Sequence, residues 1–374
     1  MKEPSRPVWA EISIANAAHN VAALKRLIGS DCQLMAVVKA NAYGHGDLEI
    51  ARTALAHGAS WLAVAIPEEG VRLRRAGIAA PILVLGAVSP HQLELCASKD
   101  LVVTIFQWEH AQALSNLARR LNKTVKVHVK IDTGMSRLGL RPEETLGFVK
   151  RLLGLPKIEV QGIYTHFACA DIPNDPYTRW QWQRFAWVLL ELEKAGINIP
   201  LKHCANTAAA LLMPEARLSL VRVGLGIYGM YPCPVTDDLR AVDLKPVFSL
   251  HTQVLDLKRI QKGTAVSYGR SFVAWRDTTI ALLPIGYADG VPRRLSEQGQ
   301  VLINGKKYSF AGRITMDHCM IDVGDAEVEI GDQVTLIGRQ GAAAITADDW
   351  AAWLDTINYE IPCMISERVQ RIYR

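Results

Sequence analysis

The chain has 374 residues, of which 49% are hydrophobic and 21% charged, and its formal net charge is +5. This balance is that of an ordinary globular protein and excludes global disorder, collagen and coiled coil. At about 150 residues per domain, the length suits either a large barrel with a smaller companion domain or three small domains.

The positive charge is spread thinly. Its longest clusters, Arg72-Leu73-Arg74-Arg75 and Pro292-Arg293-Arg294, are too short for a nucleic-acid stripe and suit an anionic small ligand equally well. No apolar run approaches the ~18 residues of a membrane span; the best one, Ile78 to Val88, is broken by Pro81 and Gly86. No apolar stretch follows Met1-Lys2-Glu3-Pro4-Ser5-Arg6-Pro7, so no signal peptide is expected. Seven cysteines without a C-x-x-C argue against a disulfide framework or a metal site and point to a reducing cytoplasm.

In chain order, apolar runs predict strands at Leu34–Val38, Trp61–Ile66, Ile82–Leu85, Leu101–Phe106, Val125–Ile131, Val160–Thr165, Leu201–Cys204 and Leu218–Val223. Amphipathic stretches between them predict helices at Asp47–His57, Glu68–Ala76, Pro90–Ala97, Trp108–Leu121, Pro142–Leu152, Tyr177–Ala195 and Thr207–Leu212. Pro90 and Pro142 sit where a first helical residue belongs, and Gly77 and Gly196 where a left-handed cap does. Eight buried strands alternating with helices predict an α/β fold with an N-terminal (β/α)8 barrel, over residues 1–240. An open doubly wound sheet is the rival that periodicity alone leaves standing. Beyond residue 240 the helical period fades. Alternating strands are predicted at Val247–Ile260, Thr278–Leu283, Gln300–Ile303, Lys307–Phe310, Cys319–Val323 and Gln333–Ile337, with a tight hairpin at Asn304-Gly305. A helix returns at Thr346–Thr356, so residues 241–374 read as a mostly β domain.

Barrel chemistry sits at the C-terminal ends of the strands. There the sequence places Lys39 and Tyr43, Lys130 and Arg137, His166, Asn206 and Thr207, then Arg222 and Gly224. A polar residue follows every strand, so each alone means little; two lysines, two arginines and a histidine at one end make a site. Lys39 leaves an apolar run, where burial lowers an amine's pKa and frees it to attack a carbonyl; the plain alternative is a lysine snorkelling out of the barrel mouth. Asn206-Thr207 opens a capped helix whose free N–H groups attract an anion. Gly224-Leu225-Gly226-Ile227-Tyr228-Gly229 matches G-x-G-x-x-G, but Pro232 and Pro234 forbid the helix that a dinucleotide motif must open.

The run Met35-Ala36-Val37-Val38-Lys39-Ala40-Asn41-Ala42-Tyr43-Gly44-His45-Gly46 closely resembles the alanine racemase family. So do Lys130-Ile131-Asp132-Thr133-Gly134-Met135-Ser136-Arg137, Tyr164-Thr165-His166-Phe167, His203-Cys204-Ala205-Asn206-Thr207, Arg222-Val223-Gly224-Leu225, Ser267-Tyr268-Gly269, Gly312-Arg313-Ile314-Thr315-Met316-Asp317 and Asn358-Tyr359-Glu360. The resemblance implies a pyridoxal 5′-phosphate (PLP) enzyme that interconverts L- and D-alanine with two bases. It implies that Lys39 holds PLP as a Schiff base and that Tyr43, Thr207, Tyr359 and backbone N–H groups near Gly224 and Leu225 bind its phosphate, beside Asn206. It places Leu85 by the ring, Arg222 at the pyridine nitrogen and His166 behind Arg222. It gives the substrate carboxylate to Arg137 and the Met316 backbone, with Asp317 beside it. Lys130 would carry a carbamate, as in some members, and orient Arg137. Tyr268 is implied as the second base, reaching the site with Met316 from the partner chain of a homodimer; the plain alternative for Tyr268 is a strand aromatic. Thr207 stands where Ser is usual and His318 where Gln is common. A broader-specificity racemase and a PLP-dependent decarboxylase of the same fold are the alternatives, the latter disfavoured by Arg222 where decarboxylases carry a carboxylate. No metal, nucleic acid or membrane partner is expected.

Overall fold

The computed structural model describes residues 6–172, 174–233 and 242–374. The expected boundary at 240/241, the segment 1–5 read for a leader, and Pro234 lie outside them. The described chain forms two compact units. One takes residues 15–42 and 47–245; the other takes residues 6–14, 43–46 and 246–374. The expected domain order therefore differs at two points: the first strand, β1 (Val8–Ile12), and the short loop 43–46 belong with the C-terminal β unit.

The larger unit is built on β2 (Gln33–Val37), β3 (Trp61–Val64), β4 (Ile82–Val84), β5 (Val102–Ile105), β6 (Val125–Lys130), β7 (Ile158–Tyr164), β8 (Leu201–His203) and β9 (Leu220–Val223). All neighbours pair in parallel, in chain order, and β9 returns to pair with β2. At the β8/β9 seam, side chain and loop replace the ladder. The Ser219 hydroxyl accepts from the Lys202 N–H at 2.7 Å and donates to the Lys202 carbonyl at 3.0 Å, and the Arg222 N–H donates to the Ala205 carbonyl at 3.0 Å. Closure on both sides rules out the open sheet and gives a barrel. Strands β3, β4 and β5 are buried throughout, as apolar runs covered on both faces must be. Pro90 and Pro142 start their helices, and Gly77 and Gly196 take φ of 84° and 70° after theirs.

The smaller unit holds β10 (Phe248–Gln253), β11 (Asp256–Ile260), β12 (Ala265–Val266), β13 (Phe272–Val273), β14 (Thr278–Leu283), β15 (Gln300–Ile303), β16 (Lys306–Ser309), β17 (Cys319–Gly324), β18 (Gln333–Gln340), β19 (Ala343–Ile345) and β20 (Gln370–Tyr373). Its main sheet runs β16-β15-β18-β10-β1-β20, with β1 antiparallel to β10 and parallel to β20. The single strand expected over Val247–Ile260 is two strands in two sheets. At the break the Val254 N–H donates to the Asp332 carbonyl and the Leu255 N–H to the Leu282 carbonyl, so the chain changes partners within two residues. Asn304 and Gly305 both take positive φ, 50° and 75°, as a tight hairpin between twisted strands requires.

Candidate active site

Lys39 follows β2 and opens a turn of unusual hand. Ala40, Asn41 and Ala42 have φ of 52–53° and ψ of 45–52°, a left-handed helical turn made without glycine. Each such residue costs about 1–2 kcal/mol, so outside contacts must hold it. The Ala40 N–H donates to Glu69 Oε1 at 2.6 Å, and the Asp47 N–H donates to Asn41 Oδ1 at 3.1 Å.

On the far side of the barrel, Lys130 ends β6 and Arg137 sits in the loop that follows. The neck of that loop is pinned: the Asp132 N–H donates to the Leu140 carbonyl at 2.8 Å, and the Leu140 N–H to the Lys130 carbonyl at 2.9 Å. Asp132 Oδ1 accepts from the N–H groups of Gly134 and Ser136. Lys130 is buried, with Nζ 4.4 Å from the centre of the Tyr164 ring, and the Arg222 guanidinium carbon lies 5.2 Å from the same ring.

Arg222 is the hub. Its Nη2 donates to the carbonyls of Thr165 at 2.8 Å and Cys204 at 3.0 Å and lies 3.2 Å from His166 Nδ1. Its Nη1 donates to His203 Nδ1 at 3.0 Å. The ring of His203 stacks on Tyr164, 4.7 Å between centres, and its Nε2 lies 2.8 Å from His128 Nδ1. A Cβ on Gly162 would stand 2.6 Å from the His128 ring, so only glycine leaves room for it. Among the described residues the Arg222 Nε–H has no partner, and Nε is not among the buried unsatisfied atoms.

These groups share one electrostatic situation. Burial pushes Lys130 well below the ordinary lysine value, and Arg222 and Arg137 push it further, against Asp132. Burial likewise holds His166 far below an ordinary histidine, helped by Arg222, Lys130, Arg137 and Lys39. Burial, then His128 and Arg222, do the same to His203. Tyr164 is pushed up to about 12 by burial. The histidines are therefore neutral acceptors, while Arg222 keeps its charge despite burial. Positive charge with little carboxylate to balance it draws an anion.

After β8, Asn206 caps the helix Thr207–Leu212 by accepting from the Ala209 N–H at 3.0 Å. The Thr207 hydroxyl accepts from the Gly224 N–H at 3.2 Å. A Cβ on Gly226 would stand 3.1 Å from Thr207 Cγ2. The turn Leu225–Tyr228 begins there, and its first N–H groups have no partner within the turn. Leu85 lies just past β4, its carbonyl accepting from the Tyr164 hydroxyl at 3.4 Å.

The β unit carries the remaining candidates. Tyr43 and Tyr359 lie with ring centres 6.4 Å apart, and burial, with Tyr359 beside it, raises the Tyr43 phenol above its ordinary value. Met316 is 53% exposed, and its carbonyl accepts from the Ala288 N–H at 3.0 Å. The neighbouring Asp317 accepts from Arg368 Nη2 at 2.7 Å, which lowers its carboxyl pKa. Tyr268 is 72% exposed, on a turn where the Ser267 hydroxyl donates to the Arg313 carbonyl at 2.6 Å.

His128, Tyr164 and His203 had no role in the sequence reading. A signal existed: in β6 the polar residues Lys126, His128 and Lys130 alternate with valines, so His128 shares a face with Lys130 two positions on.

The chain thus joins an eight-stranded parallel barrel with a basic rim to a mostly β unit, an architecture it shares with amino-acid racemases of known structure. Family models of the alanine racemase N-terminal domain and C-terminal domain match residues 12–232 and 247–373. The chain belongs to the alanine racemase family, a family of isomerases. It is 48% identical over its full length to an alanine racemase of Halothermothrix orenii, covering 98% of that protein. Its fold matches alanine racemase of Clostridium difficile (TM-score 0.94, 38% identity, 100% of this chain and 97% of that one). It also matches that of Bacillus anthracis solved with bound L-Ala-P (TM-score 0.93, 41% identity, 100% and 96%).

Proposed function

We propose that this isomerase interconverts L- and D-alanine with PLP bound through Lys39, as a homodimer in the cytoplasm. The observation that carries the cofactor is the Arg222 hub. Four neighbours fix its two Nη atoms, while its Nε–H and one of the two Nη1 hydrogens have no acceptor among the described residues. A pyridine nitrogen is such an acceptor. The positive rim, with the Thr207 hydroxyl and the first N–H groups after Gly224, suits a phosphate, with Asn206 holding the helix start and Tyr43 and Tyr359 supplying phenols. Leu85 offers apolar contact for a ring.

When bound, PLP withdraws electrons from the α-carbon of an attached amino acid and so acidifies its proton. The chain supplies the rest. Arginine stays charged and does not give up a proton at working pH, so Arg222 would hold the ring nitrogen of PLP by a hydrogen bond without protonating it. His166, held neutral, accepts from Arg222 and keeps the guanidinium in place. Arg137 and the Met316 N–H orient the substrate carboxylate, and Asp317, paired with Arg368, fixes the loop that presents Met316. Lys130 is driven toward its neutral amine, which can add carbon dioxide, releasing one proton. The carbamate so formed would place a negative charge beside Arg137. Lys39 Nζ takes or returns the α-proton on one face, and Oη of Tyr268 of the partner subunit serves the other. Exposed Tyr268, Trp275 and Met316 on the β unit support a partner there.

Borohydride reduction followed by peptide mapping tests the reading. A reduced pyridoxyl group on Lys39, with D-alanine formed from L-alanine before reduction, is expected. An adduct on another lysine, or none, would overturn it.

A further inference from the structure

We propose that Gln181, in the helix Pro176–Lys194, is a positioning residue that sets the Arg137 loop relative to His166 and Arg222 through a one-way hydrogen-bond relay. This rests on the reading that Arg137 meets the substrate carboxylate.

Gln181 is fully buried, although it lies in a helix carried on the outside of the barrel. Its amide spans two loops. The oxygen accepts from the Ala168 N–H at 2.8 Å, which fixes the orientation of the amide. The nitrogen then faces two acceptors, the His166 carbonyl at 3.2 Å and the Thr133 hydroxyl at 3.3 Å. The direction of every later hydrogen follows. The Thr165 hydroxyl donates to the Ile131 carbonyl at 2.9 Å, so it can only accept from the Thr133 hydroxyl, 2.8 Å away. Thr133 has then used its proton and must itself accept from Gln181. The relay runs Gln181 to Thr133 to Thr165 to Ile131 with no freedom of direction. The backbone of Thr165 also accepts from Arg222.

One turn earlier on the same helix face, the Tyr177 hydroxyl donates to the Gly134 carbonyl at 2.9 Å. A Cβ on Gly134 would stand 2.6 Å from that hydroxyl. The helix thus grips the Arg137 loop at 133 and 134 and the His166 loop at 166 and 168. A guanidinium displaced by a fraction of an ångström no longer meets a carboxylate bidentately, so the relay acts on substrate binding more than on proton transfer.

The test compares Thr133→Val, Thr133→Ser, Gln181→Met and Arg137→Ala holoenzymes by steady-state kinetics and by hydrogen exchange of the 132–139 peptide. Thr133→Val keeps shape and removes the relay. It should raise KM for alanine about tenfold with kcat changed no more than about twofold, and speed exchange in the loop. Thr133→Ser should restore both, and Gln181→Met should match Thr133→Val if it folds; the threonine pair carries the test if it does not. Unchanged loop exchange in Thr133→Val, or a fall in kcat at constant KM, overturns the relay. If Arg137→Ala leaves KM unchanged, the carboxylate reading fails instead, and the exchange data still judge the relay.

Discussion

His128 carries a buried Nε2 with no partner among the described residues, and the network says which proton sits there. Arg222 donates to His203 Nδ1, so the proton of His203 is on Nε2 and passes to His128 Nδ1. The proton of His128 is therefore on the orphaned nitrogen. Burial, with Arg222 near, lowers His128 to about 3, and His166, His203 and His251 are lowered as well. A histidine in the unfolded chain binds a proton near pH 6.5. Below that value the unfolded state gains protons that the folded state refuses, so stability is full above 6.5 and is lost as pH falls toward 3. For His128 this shifts the folded-to-unfolded ratio by up to about tenfold per pH unit in that window. In His128→Asn, whose Oδ1 still accepts from His203, denaturant titrations should show a pH dependence shallower by about one proton between pH 4 and 6. An unchanged slope would mean that His128 titrates in the folded protein.

The left-handed turn after Lys39 is an element whose stability lies elsewhere. Glu69 is the third residue of the helix Pro67–Arg75. Its Oε2 accepts from the Ala65 N–H at 2.8 Å and lies 3.3 Å from that of Ile66, while Oε1 holds Ala40. Glutamine has one oxygen and cannot serve both. Glu69→Gln should therefore cost about 0.5–1.5 kcal/mol, the net worth of a lost hydrogen bond, and speed hydrogen exchange of residues 40–42. Glu68→Gln, next door and exposed, serves as the control; equal exchange in the two variants would show that the turn holds itself. Nothing in Ala40-Asn41-Ala42 announces this geometry, because no glycine marks it. Gln181 was illegible for the same kind of reason: a glutamine in a helix looks solvated until the loops it binds are folded around it. The barrel strands, by contrast, were legible to within a few residues, since runs such as Trp61–Val64 have no polar face to hide.

For the whole molecule, the sharpest question is whether two chains share each site. Lys39→Ala and Tyr268→Ala proteins should each be inactive. If Tyr268 acts across the dimer, refolding an equal mixture returns about a quarter of the parental activity, because half the dimers are mixed and each has one intact site. No recovery would place both bases in one chain. At this scale the two-domain plan was legible and the partition of the chain was not. The composition change near residue 240 is local, whereas the link of β1 to β10 and β20 joins segments hundreds of positions apart and leaves no local trace.

That link sets a timetable. The last barrel strand ends at Val223, but β1 must wait for Gln370–Tyr373 before its second edge is covered. At about 5–20 residues per second, translation separates the two by roughly 7–30 s. Until then the nascent chain carries Val8–Ile12 with one edge unpaired, even after Phe248–Gln253 has covered the other.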